Sequence, residues 1–130
     1  MTDFSDFLIA TDLDGTFLCE GQMVARNLQA LERFRKGGGI FTIATGRAHL
    51  NVRSAIGEPT DVINAPAICD NGAYLYDFAA QESLQQDLLC AEDAKALLAF
   101  AKAQFPDVRI SAVFPRSVPR RMRDVWQGIC

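Results

Sequence analysis

The sequence predicts an α/β fold, a doubly wound (Rossmann-like) parallel sheet, and three observations predict it. Short apolar runs occur at Phe7–Ala10, Ile40–Ala44 and Ala67–Cys69. Each ends in polar residues: Thr11-Asp12, Thr45-Gly46-Arg47 and Asp70-Asn71-Gly72. Segments with helical spacing separate the runs. A short continuous apolar run suits a strand covered on both faces, as parallel sheets require. The order strand, helix, strand, helix, strand then implies parallel pairing through right-handed crossovers.

The elements follow in order. Phe7–Ala10 is the first strand. Val24, Leu28, Leu31 and Phe34 recur at intervals of three and four with Arg26, Glu32, Arg33 and Arg35 between them, the pattern of an amphipathic helix. Gly37-Gly38-Gly39 ends it, because glycine takes the left-handed cap conformation without a steric penalty. Ile40–Ala44 is the second strand. A second helix is expected over Ala48–Ile56, closed by Gly57-Glu58-Pro59. Ala67–Cys69 is the third strand, and Ala73–Tyr76 returns from it after a hairpin-type Asn-Gly turn. From about Gln81 the character changes to a polar strand-like stretch, a helix over Ala91–Gln104 and a further strand at Val108–Phe114. These divisions suggest a core in 1–80, the start of a second domain in 81–114 and an atypical tail in 115–130. The tail holds Pro115, Pro119 and four arginines against one acid, Asp124, and has little periodicity.

Composition bounds the function. The chain has 130 residues, 49% of them hydrophobic, which suffices for one ordinary core. Its net charge of −3 supplies no global basic field, so nucleic acid is not the expected partner. The four cysteines never form a C-x-x-C pair, and neither a zinc site nor a disulfide framework is indicated. Reduced thiols fit a cytoplasmic protein. The N-terminus carries acids and no basic segment, and no apolar run approaches a bilayer span, so no membrane association is expected.

In open α/β sheets a ligand sits beyond the carboxyl ends of the strands. That edge gathers Asp12, Asp14, Thr45, Gly46, Arg47, Asp70 and Asn71. Asp12 and Asp14, one residue apart, project to one side of an extended backbone. Two such carboxylates repel unless a cation lies between them, and Mg²⁺ is the hard cation that carboxylate oxygens select. A carboxylate can also attack phosphorus, dividing one hard hydrolysis into two easier steps, while the second acid protonates the leaving alcohol and then activates water. Gly15 permits the turn away from the strand, and the small Thr16 leaves the crevice open. The Thr45 hydroxyl and the Gly46 N–H suit a phosphoryl oxygen, with Arg47 beside them for substrate contact. Asn71-Gly72 is first a turn. His49 is read as a helix residue near the site, and Tyr74, Tyr76 and Trp126 as packing.

At these residues the sequence resembles the haloacid dehalogenase-like superfamily, in particular its Cof-type (subclass IIB) sugar-phosphatase branch. Ile9–Leu18, with Asp12-Leu13-Asp14-Gly15-Thr16, is similar to the first family motif, and Ile43–Arg47 to the second. Ile68–Ala73 is similar to the N-G-A segment that precedes the branch's cap domain. The resemblance covers about residues 7–78. It implies a Mg²⁺-dependent phosphatase of small phosphorylated metabolites such as sugar phosphates, working through an aspartyl-phosphate. It implies Asp12 as nucleophile, Asp14 as general acid/base, and Mg²⁺ held by the Asp12 side chain and the Asp14 carbonyl. Thr45 becomes a phosphate ligand, Arg47 and Asn71 lie near the substrate, and residues from about Gln81 begin the cap. The family's later lysine and its acidic G-D-x-x-N-D-type loop have no counterpart in this chain, which is therefore expected to be a truncated member with turnover reduced by orders of magnitude. Two alternatives follow: a fragment that binds phosphate or Mg²⁺ without turnover, and a receiver-type phosphoacceptor domain. The receiver needs its acceptor at Asp70 and a later lysine that does not appear in place.

Overall fold

The computed structural model of the protein describes residues 2–110. Strand β1 (Leu8–Thr11) pairs in parallel with β4 (Ile40–Ile43), in a register that sets Leu8 against Ile40 and Thr11 against Ile43. Helix α1 (Ala25–Lys36) connects them. Its apolar side buries Leu31, and Arg33, Arg35 and Lys36 fill the last turn, where positive charge favours the helix dipole. The glycines after it are required by packing as well as by conformation. A Cβ on Gly39 would lie 2.4 Å from the Phe34 ring, and Gly38 turns the chain at φ +90°. The ring occupies the space that any side chain would need.

Helix α2 (His49–Ile56) follows β4 and buries Val52 and Ile56. A short helix α3 (Pro59–Val62) begins where the sequence suggests only a stop; proline pre-sets the first helical turn. Strand β5 (Ala67–Cys69) continues beside β4 through the parallel bridge Ala44↔Ile68 and the Thr45 N–H, which donates to Ile68 O at 2.9 Å. It then turns through a single 3₁₀ turn, Asp70–Gly72, into the antiparallel strand β6 (Tyr74–Asp77). The α/β class is thus as expected, with parallel pairing at β1, β4 and β5 and an antiparallel return.

Several features differ from the sequence reading. A hairpin of two-residue strands, β2 (Leu18–Cys19) and β3 (Gln22–Met23), precedes α1, turning at Glu20 (φ 51°) and Gly21 (φ 76°). The polar stretch after Gln81 forms a strand as read, β7 (Glu82–Gln86), and it pairs with β6. The chain divides into two compact units after Gln86. In the second unit, α4 (Ala91–Gln104) forms as read. Residues 108–110 are irregular, and the rest of the strand expected at Val108–Phe114 lies outside the described residues, as do Trp126 and the 115–130 tail.

The core of the first unit joins Leu13, Phe17, Leu18, Leu31, Phe41, Ile43, Val52 and Ile56 to Cys69 and Tyr74. Phe17 and Phe41 pack at 5.4 Å between ring centroids. Strand β1 is not covered on both faces as its apolar run suggests: Phe7 and Leu8 are each 61% exposed and Ile9 43%. Among the described residues β1 pairs with β4 alone, so its second edge has no strand partner.

Candidate active site

The register of β1 on β4 decides which side chains meet. Ala44 N–H donates to Thr11 O at 2.8 Å, so Asp12 leaves β1 level with the end of β4, where Thr45, Gly46 and Arg47 begin. Asn71 N–H donates to Thr45 O at 3.0 Å and Asp70 N–H to Arg47 O at 3.1 Å, which brings the turn after β5 to the same edge. The three strand ends thereby converge, as the sequence leads one to expect.

Leu13 is fully buried between Asp12 and Asp14, both exposed. The inward leucine anchors a backbone that presents a carboxylate on either side of it. The loop then folds back: Phe17 N–H donates to Asp12 O at 3.3 Å and Leu18 N–H to Leu13 O at 2.9 Å. Gly15, at φ +76° with open space where a Cβ would stand, supplies the left-handed step. Thr16 Oγ1 donates to Asp12 Oδ2 at 3.3 Å, a long contact that leaves the carboxylate lightly held.

Asp14 is held firmly. Arg47 Nε donates to its Oδ2 and Arg47 Nη2 to its Oδ1, both at 2.7 Å. These bonds hold the Asp14 carboxyl below the ordinary carboxylate range and raise the guanidinium above its own. Slight desolvation opposes both shifts. The sequence reading expects Arg47 to contact substrate; its ion pair across 33 positions was not legible, because it depends on the strand register.

Thr45 is buried, and its Oγ1 accepts the Arg47 N–H at 3.1 Å, the short cap-like bond that turns the chain out of β4. Gly46 lies against Asn71, whose Oδ1 would be 3.1 Å from a Cβ there. Asn71 itself is left-handed at φ 56° and Asp70 at φ 48°, conformations that the short polar side chains tolerate. His49, at the start of α2, is 5% exposed, stacks on Tyr76 at 4.0 Å between centroids and meets Tyr74 edge-on. Its backbone N–H donates to Tyr74 Oη at 2.8 Å, and Nδ1 lies 3.0 Å from the same oxygen. Tyr74 is thus more than packing: it ties β6 to the first turn of α2, two residues after Arg47. Burial pushes its phenol up, with the Cys69 and Asp70 charges adding to the rise and the His49 N–H opposing it.

For a magnesium ion the donors fit in kind. The Asp12 carboxylate and the Asp14 carbonyl are hard oxygens at one strand end. In number they fall short: among the described residues no group of three or more His, Cys, Asp or Glu side chains could hold a metal. Lys36 is engaged with Glu32 at 2.7 Å on α1, and Lys95 and Lys102 lie on α4.

The sequence profile of haloacid dehalogenase-like hydrolases matches residues 9–114, a span that takes in every residue of this edge. The chain belongs to that family. Among its relatives is the pyridoxal phosphate phosphatase YbhA of Escherichia coli, 38% identical over 81 residues, which are 62% of this chain and 29% of YbhA. Another is the 5-amino-6-(5-phospho-D-ribitylamino)uracil phosphatase YwtE of Bacillus subtilis, 33% identical over 90 residues, 68% of this chain and 30% of YwtE. A haloacid dehalogenase-like hydrolase from B. subtilis superimposes with a TM-score of 0.63 at 32% identity, over 75% of this chain and 33% of its own. The subclass IIB sugar phosphatase BT4131 does so with a TM-score of 0.57 at 25% identity, over 75% and 38%. This haloacid dehalogenase-like chain spans about 30% of the length of the curated relatives it matches. The assignment decides against the receiver-type alternative. No helix among the described residues is long and apolar enough to cross a membrane.

Proposed function

We propose that this edge serves a Mg²⁺-dependent phosphatase of small phosphorylated metabolites, with Asp12 as nucleophile and Asp14 as general acid and base. The convergence of exposed Asp12 and Asp14 with Thr45, Gly46 and Arg47 at adjacent strand ends carries the proposal. An Asp12 carboxylate oxygen attacks phosphorus, the bond from phosphorus to the ester oxygen breaks, and the leaving alkoxide takes a proton from Asp14. Asp14 then removes a proton from water, whose oxygen attacks the aspartyl-phosphate and releases inorganic phosphate and the Asp12 carboxylate. Thr45 Oγ1, the Gly46 N–H and Arg47 bind phosphoryl oxygens, and Asn71 borders the substrate. The Asp12 side chain and the Asp14 carbonyl would hold Mg²⁺, which would supply positive charge to the transferring group. The named phosphatase activities of YbhA, YwtE and BT4131 support the same substrate class. The second unit, from Asp87, begins the part of the molecule that selects substrate.

The shortage of acidic ligands and of a lysine at this edge among the described residues favours a second reading, a phosphate- and Mg²⁺-binding unit with slow or no turnover. Hydrolysis of p-nitrophenyl phosphate with Mg²⁺ by the chain and by Asp12→Asn separates the two. Catalysis through Asp12 gives turnover that the variant loses by a factor of about 10³ or more, as removal of a nucleophile does. Equal rates would eliminate it, and calorimetric uptake of phosphate without turnover would favour binding.

A further inference from the structure

The phosphate contact assigned to Arg47 is already occupied. Two of its three guanidinium nitrogens face Asp14, in a two-point contact with both carboxylate oxygens at 2.7 Å. Guanidinium forms the same fork with a carboxylate and with a phosphate, so the geometry suits either acceptor. The third nitrogen, Nη1, donates to Asn51 O at 3.3 Å, and the Arg47 backbone is fixed at both ends, by Thr45 Oγ1 and by the Asp70 N–H. The arginine is therefore the stationary partner. Asp14 is the one with room: its side chain is 52% exposed, against 33% for Arg47, and beside it Gly15 borders open space.

We infer that Asp14 is a resident competitor for an oxyanion site at Arg47, so that a substrate's phosphate group displaces the carboxylate and frees Asp14 in the same event. The inference rests on the reading of this edge as a phosphoryl site and adds its regulation. The fork cannot accept both anions at once. While Asp14 fills it, only the open fraction of molecules binds, and the apparent dissociation constant is raised by the reciprocal of that fraction. Ligands without a multidentate anionic group leave the pair closed. Asp14 is thereby withheld from chemistry until a phosphate has arrived, which couples recognition of the substrate class to release of the acid.

Calorimetric titration of inorganic phosphate into the full chain at fixed Mg²⁺ tests this, using Asp14→Asn, Arg47→Ala and the double variant. Asp14 is exposed and Arg47 partly so, and circular dichroism checks that each variant is folded. Competition predicts that Asp14→Asn binds phosphate more tightly, by up to roughly fivefold for a partly exposed ion pair. It predicts further that this gain vanishes when Arg47 is alanine, as a double-mutant cycle requires of coupled residues. The Arg47 Nε–H resonance should also move in one direction on saturating the wild-type chain with phosphate and on Asp14→Asn. An equal gain in the Arg47→Ala background would mean general charge relief and would overturn the inference. So would equal affinity in wild type and Asp14→Asn, which leaves the phosphoryl site itself standing. Absence of binding in all four proteins overturns both.

Discussion

Cys69 stands one position before the turn that carries Asp70 and Asn71, yet it belongs to the core. It is fully buried, and burial, helped by the Asp70 charge, pushes its thiol up to about 12, while Cys19 and Cys90 are exposed. A thiol reagent at pH 8 should modify Cys19 and Cys90 readily and Cys69 only when the chain unfolds, because the thiolate is the reactive form. Peptide mapping after timed labelling reads this directly. The linked effect on stability has a definite sign. An acid whose pKa is raised on folding binds its proton longer in the native state, so the unfolded state ionises first. Cys69 therefore withdraws stability as pH rises through its unfolded value of 9.0 towards about 12. Tyr74, shifted in the same direction, adds to the loss. Denaturation midpoints between pH 8 and 10 should fall, and a Cys69→Ala chain should show a smaller fall. The gathering of polar residues where β1, β4 and β5 end was legible, because each apolar run stops at them. Partnerships were not. Nothing in the types Asp14, Arg47, His49 and Tyr74 announces that the first two, or the last two, bond to each other.

At the scale of elements, legibility followed length. Helix α1 carries enough turns to display its period, and the runs of β4 and β5 are apolar enough to mark buried strands. The two-residue strands β2 and β3 are too short to show any alternation. The turn after β5 was readable because Asn71-Gly72 is a local signal that needs no distant partner. What locks that turn to α2 is Tyr74, whose hydroxyl receives the His49 N–H at the helix start. Tyr74→Phe keeps the ring and removes the acceptor. Leaving a buried donor without its oxygen costs about 1–3 kcal/mol, which urea denaturation should report with little change in m-value. A loss much below this range would mean that the tie is ornamental and that ring packing of His49 against Tyr76 alone fixes the helix start.

The molecule as a whole departs from its sequence pattern most clearly at β1. Phe7, Leu8 and Ile9 form the kind of run that parallel sheets bury, and the register with β4 confirms the strand, but all three side chains are exposed. Periodicity reports what a segment is suited to, whereas burial depends on which other segments are present to cover it. An apolar hollow of about 380 Å³, lined in part by Phe4, Ile9, Phe34 and Phe41, opens on the same unit. A strand edge with unpaired backbone groups and exposed apolar side chains is a template for association, and natural sheets guard against it with charge, particularly lysine. Asp6 and Asp12 flank this edge, but no charge interrupts it. The chain should therefore sediment with a concentration-dependent coefficient at micromolar levels. Leu8→Lys should reduce that dependence: it replaces a side chain that is 61% exposed, so little core packing is lost while a charge is set on the edge. Sedimentation velocity on both proteins, with circular dichroism to confirm equal folding, separates the causes. If Leu8→Lys associates as strongly as the parent chain, the contact lies elsewhere. If a charge placed at Leu50, an exposed apolar residue on α2, is as effective as one at Leu8, then net charge and not the β1 edge governs association.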